Sequence, residues 1–155
     1  MTEYEVVQII TGFLGAFGFS ILFHIRGKRL VMSALGGLLS WTAFVLLGLL
    51  IESEPIRYFL VATFVSIYAE IMARVLKTPT TTLLMASLIP LIPGGSLYYT
   101  MAYAMSGDLE NFLTKATGTL KLAAALALGI LVIGAFTTTM NKIKTRRRAV
   151  CESRE

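Results

Sequence analysis

Charge, cysteine and histidine are all scarce in this sequence. Only 15% of the 155 residues are charged while 55% are hydrophobic, which excludes an ordinary water-soluble domain, where charged residues make up about a quarter. The single cysteine, Cys151, can close no intramolecular disulfide, and with one histidine, His24, no metal-ligand spacing is available. A nucleophile paired with a base and a glycine-rich phosphate loop are both missing, so an enzyme is not expected, and no cofactor is implied. No Lys or Arg precedes the first apolar run, which follows Glu3 and Glu5; that segment is expected to be retained rather than cleaved as a secretory signal. There is also no long polar linker, hence no second domain, and any ATP-driven step would need another chain.

What the sequence does contain is apolar length. A membrane-crossing helix needs about 20 mostly apolar residues. Such runs occupy 6–25, 30–51, 56–76, a punctuated stretch 80–105, and 118–140, joined by connections at 26–29, 52–55, 77–79 and a longer one around 107–117. The reading is an all-α integral membrane protein with five transmembrane helices, the fourth broken at a Pro/Gly cluster. Residues 1–141 form the membrane domain and 142–155 a basic tail.

The net charge of +5 is concentrated in that tail, at Lys142, Lys144, Arg146, Arg147 and Arg148. Basic residues directly after an apolar run read as a topology determinant against anionic lipid, so nucleic acid is not indicated. With five crossings, eleven of the 14 Lys and Arg fall on the tail's side, leaving only Arg57, Lys115 and Lys121 opposite. The positive-inside rule then places the C-terminus in the cytoplasm and the N-terminus outside. A re-entrant fourth segment would put the basic tail and the basic first connection on opposite sides, which favours a true crossing.

Small residues recur at helical spacing: Gly12, Gly15 and Gly18; Gly36 and Ser40; Ala125 and Gly129. Such positions let backbones approach closely in lipid, either within the bundle or against a partner. Five helices alone enclose little interior, so a partner subunit or a second copy of the chain is a candidate for the other side.

The fourth segment holds Pro90, Pro93, Gly94 and Gly95 within six residues. Each proline removes a backbone donor, which should free carbonyls near Ala86 and Ile89, while the glycines permit an unwound link. A second half-helix starting near Ser96 would turn the N–H groups of Gly94, Gly95 and Ser96, and a partial positive charge, toward the break. That arrangement suits a carboxylate, and broken helices are where transporters place substrate. The bland alternative is a proline kink. Tyr98, Tyr99 and Tyr103 either line the half-helix or form an interfacial aromatic belt.

Glu70 and Arg74 lie one turn apart in the third segment. A carboxylate within a membrane span is costly and faces a partner or a wet cavity, so Glu70 is either half of an ion pair that orients the helix or a proton or cation coupling site. His24, beside Arg26, reads as solvated at the interface, Asp108 as a loop residue or helix cap, and Trp41 as packing.

The run Pro90-Leu91-Ile92-Pro93-Gly94-Gly95, followed by Tyr98 or Tyr99 and then Gly107-Asp108, resembles the bacterial threonine/serine exporter (ThrE) family. Gly18-Phe19-Ser20-Ile21-Leu22-Phe23 running into a basic turn, and Glu70 with Arg74, look like that family too. The length is similar to the small subunit of the split type, corresponding to the C-terminal half of the single-chain exporters. The resemblance implies a bacterial inner-membrane location, a larger multi-span partner and export of small carboxylates: threonine and serine, or a dicarboxylate such as succinate. An odd number of spans in each half would make the joined pair an inverted repeat. On this reading Pro90, Pro93, Gly94, Gly95, Ser96, Tyr98 and Tyr99 bind substrate, and Glu70 with Arg74 couples an ion. A structural or regulatory subunit that transports nothing is the rival.

Overall fold

The computed structural model describes the backbone of residues 3–152 and the side chains of 6–140, 142 and 143. The side chains of Glu3, Glu5, Lys144, Arg146, Arg147, Arg148 and Cys151, on which part of the topology reading rests, lie outside the described residues.

Six helices follow in order: α1 (Glu3–Leu22), α2 (Lys28–Gly48), α3 (Glu54–Leu76), α4 (Thr80–Leu88), α5 (Gly94–Ser106) and α6 (Leu109–Glu152), with a 3₁₀ turn at Ile89–Leu91. Among the described residues there is no strand. Three helical stretches are long and apolar enough to cross a membrane: Lys28–Gly48, Glu54–Leu76 and Leu109–Met140. Thr80–Leu91 and Gly94–Ser106 make a fourth when counted as one span, bent by 62°. The apolar part of α1, Val6–Leu22, is shorter than these.

Two helix ends depart from the hydropathy reading. The first apolar run extends to Ile25, yet α1 stops at Leu22, because His24 takes a left-handed conformation at φ 57°. The Ile25 N–H then reaches back to the Ser20 carbonyl and the His24 N–H to that of Ile21, the paired bonds of a Schellman stop, with Ile25 buried behind them. His24 therefore terminates a helix. Lys77 ends α3 the same way, at φ 49° with the Thr78 N–H on the Ala73 carbonyl.

The second departure is at α6, which begins at Leu109 rather than near Gly118. Its first turns are polar, so no apolar run marks them. They are held by the Asp108 carboxylate, whose Oδ1 accepts the Asn111 backbone N–H at 3.2 Å and whose Oδ2 accepts the Asn111 side-chain amide at 2.7 Å. Thr114 and Thr117 return their hydroxyls to carbonyls one turn back. Those bonds from the Asn111 side chain and backbone hold the Asp108 carboxyl below its ordinary range. Because the folded state lowers this pKa, the cap's contribution is present above the ordinary carboxylate range and is lost as pH falls through the depressed value. Amide exchange at Asn111 should therefore speed up in Asp108→Ala at neutral pH, and the difference from the parent protein should close in acid. Equal exchange at neutral pH would remove Asp108 as a cap.

The core is centred on α3. Tyr58, Val61, Ala62 and Val65 pack with Leu88, Leu91 and Leu122, and nearer the other end Ala69 and Ala73 pack with Leu83. Close crossings sit where a side chain is missing. A Cβ on Gly129 would lie 2.7 Å from the Phe59 carbonyl oxygen and 2.8 Å from the Ala62 Cβ; one on Gly36 would meet Ser87 and Tyr68. Gly15 and Gly18, by contrast, have nothing within 4 Å of such a Cβ, so of the three glycines on α1 only Gly12 packs inside the chain. Two buried serines satisfy one another: Ser20 and Ser33 share a 2.7 Å hydrogen bond between α1 and α2, and each also donates or is able to donate to its own helix's carbonyls.

Candidate functional site

At the end of α3 nearest the basic connections, Glu70 is partly buried, with 20% of its side chain exposed. Arg74, one turn on, donates from Nη2 to Oε1 at 3.1 Å and is itself 54% exposed. The other carboxylate oxygen, Oε2, accepts the Thr80 hydroxyl at 2.8 Å. Thr80 is the first residue of α4, so the carboxylate also lies beside the partial positive charge of a helix N-terminus. Glu70 thus joins α3 to α4, a contact the sequence reading of an ion pair within one helix does not contain.

Behind the carboxylate is a cavity of about 400 Å³ between α3, α4 and α6. Ser66, Glu70, Thr80, Thr81, Thr137 and Thr138 give it polar walls, closed by Leu84, Ile130 and Ile133. The hydroxyls of Thr80, Thr81, Thr137 and Thr138 were not singled out from sequence. Their signal was there, as the threonine triplets 80–82 and 137–139, both at the same end of apolar runs as Glu70.

The bent pair α4 and α5 differs from expectation in detail. The non-helical link is Ile92–Pro93, while Gly94 and Gly95 already form the first turn of α5, without left-handed φ. The helix starts two residues before Ser96 because Pro93, at φ −74° and ψ 61°, turns the chain so that the Gly94 N–H bonds the Ile92 carbonyl at 2.7 Å. Gly94 is therefore not a free donor. The Ile89 carbonyl is also taken, by the Ile92 N–H at 3.2 Å. Among the described residues, the N–H groups of Gly95 and Ser96 have no backbone acceptor.

Pro90 is turned inward, packing where α1 and α2 lack side chains: a Cβ on Gly12 or Gly37 would lie 3.6 Å from its ring. Trp41 packs there as well, with its indole N–H buried and unpartnered among the described residues. Gly94 and Gly95 are exposed, as are Tyr98 (69%) and Tyr99 (55%), whose rings meet edge to face. Ser96 lines a second cavity of about 430 Å³ that also holds Glu54, Pro55, Lys115, Thr119 and Lys121. These two lysines, isolated in sequence, bring positive charge to the start of α5. The expected site residues thus divide between two places: Glu70 and Arg74 at one end of α3, Ser96 near the other.

A family model described as "Threonine/Serine exporter, ThrE" matches residues 8–136. That stretch takes in α5, Glu70 and Thr80, and most of the wall that α6 contributes to the first cavity. No curated protein and no solved structure matches the chain.

Proposed function

The chain belongs to the threonine/serine exporter family, and from that premise we propose that it is the small subunit of a two-chain secondary exporter of small carboxylates, either threonine- and serine-like amino acids or a dicarboxylate. The family match over residues 8–136, which takes in Glu70, Thr80 and Ser96, carries this reading. Five crossings follow when α1 and the bent pair are each counted as spans, with the basic end of the bundle in the cytoplasm of a bacterial cell and the N-terminus outside. The course of the bent pair supports counting it as one span, since Thr80 sits beside Glu70 while Ser96 shares a cavity with Glu54 at the opposite end of α3.

In this mechanism the substrate carboxylate meets the N–H groups of Gly95 and Ser96, aided by Lys115 and Lys121, and Glu70 carries the coupling ion. A larger multi-span subunit of the same family completes the pathway. This is supported by α5, which buries none of its residues within the chain although Met101, Met105, Tyr98 and Tyr99 are large and apolar. The same exposure favours the second reading, a scaffold that only docks its partner there.

Export from cells carrying both subunits separates the two. Removing this chain should abolish efflux of the transported carboxylate, and single substitutions in the cavities should lower efflux while the complex still assembles. A scaffold would lose assembly and efflux together. In the same cells a cysteine at Asp108 should label from outside and one at Lys77 should not; the reverse pattern overturns the orientation.

A further inference from the structure

The cavity at Glu70 has a donor and acceptor balance that selects its occupant. Thr80 has committed its hydroxyl hydrogen to Glu70, Ser66 to the Ala62 carbonyl at 2.7 Å, and Thr138 to the Gly134 carbonyl at 2.8 Å. Each of these oxygens keeps lone pairs, and Glu70 keeps those not used by Arg74 and Thr80. Thr137, 9% exposed, adds another hydroxyl oxygen to the wall. No Lys, Arg or His is among the residues lining the cavity. The result is a space whose one carboxylate is paired on its other side by Arg74, with many acceptors and few free donors. A carboxylate placed there would meet another carboxylate and find few uncommitted donors, the hydroxyls of Thr81 and Thr137, whereas a cation bearing several N–H groups would find acceptors all round Glu70. The volume, about 400 Å³, suits a small organic molecule better than a bare metal ion.

We propose that this cavity is a subsite for a primary ammonium group, with Glu70 as its counter-charge and the oxygens of Thr80 and Thr137 accepting its remaining hydrogens. The inference rests on the exporter reading for its biological setting, and it deepens that reading by favouring α-amino acids over dicarboxylates; because the Ser96 and Glu70 cavities lie at opposite ends of α3, one substrate occupies them in turn and never together. It also gives coupling a simple form: the ammonium group and the coupling cation take turns on one carboxylate. The charged group facing Glu70 is Arg74 on its own helix, while α4 and α6 face the cavity with hydroxyls and apolar side chains.

The test is direct binding to the full-length chain in lipid nanodiscs, using two halves of threonine as probes. Threoninol keeps the ammonium group and lacks the carboxylate; 3-hydroxybutyrate keeps the carboxylate and lacks the ammonium. Threoninol should bind, and Glu70→Gln should weaken its binding about tenfold or more, as expected for loss of a charge-assisted hydrogen bond. Binding of 3-hydroxybutyrate should be unchanged in that variant. The proposal is overturned if threoninol does not bind the parent protein, if Glu70→Gln leaves its affinity intact, or if sodium chloride displaces it at equal concentration, which would make the site one for an alkali metal. Binding without efflux would sink the exporter reading alone, and efflux without threoninol binding would sink the ammonium subsite alone.

Discussion

Gly129→Leu is expected to prevent accumulation of the folded chain. At this position α6 lies against the backbone of α3, with the Phe59 carbonyl oxygen and the Thr63 nitrogen 2.7 Å and 3.1 Å from where a Cβ would stand. Backbone cannot rotate aside as a side chain can, so four added carbons must push the helices apart and open the Tyr58, Val61, Val65 and Leu122 cluster. Overpacking of this kind costs about 1–3 kcal/mol and sometimes more, a large share of the stability of a small domain. Gly15→Leu and Gly18→Leu are the controls, since neither meets anything within 4 Å inside the chain. Both should accumulate normally. If they nevertheless lose the larger subunit on purification, the outer face of α1 is where it docks. Normal thermal stability of Gly129→Leu would show that α3 and α6 are not packed this closely.

The second large effect is expected at the start of α5, with an opposite signature. Gly94→Val and Gly95→Val should leave accumulation unchanged and reduce transport by about tenfold or more, equivalent to about 1.4 kcal/mol of lost interaction. A Cβ at either position meets nothing within 4 Å, and neither glycine uses a left-handed conformation, so the chain itself has no reason to resist the change. Any loss must come from something approaching the N–H groups of Gly95 and Ser96 from outside the chain. Amides of the substrate should then compete poorly, because they bring no full charge to the helix N-terminus. Normal transport in both valine variants would leave the bend as a packing device, in keeping with the Pro90 ring between Gly12 and Gly37.

Much of the helical order was legible in the sequence because apolar length and charge position speak directly about lipid. The close approaches at Gly36 and Gly129 were legible too, since small residues at helical spacing have few other uses in lipid. What escaped was local backbone conformation, the polar start of a helix, and contacts with a partner far along the chain. Nothing near His24 announces a left-handed residue, a conformation usually left to glycine. The first turns of α6 are polar and stay invisible to an apolar count, although the spacing of Asp108 and Asn111 carries the cap. The sequence shows Glu70 as half of a pair with Arg74, while its bond to Thr80 depends on how the turn after Lys77 folds α4 back along α3. The sequence points to Ser96 without Lys115 and Lys121, which reach the same cavity only because α5 and α6 run side by side.

Glu54 and Glu70 stand sixteen positions apart on one helix, about 24 Å along its axis, and each borders a different cavity. The contact with Gly129, at Phe59 to Thr63, falls between them. Beyond Pro55 in its first turn, α3 contains neither proline nor glycine, so nothing in it invites a hinge. A stiff rod packed along its length, from Tyr58 to Ala73, moves as one body, so a displacement at one cavity is carried to the other. The two spaces share a wall and do not change shape independently.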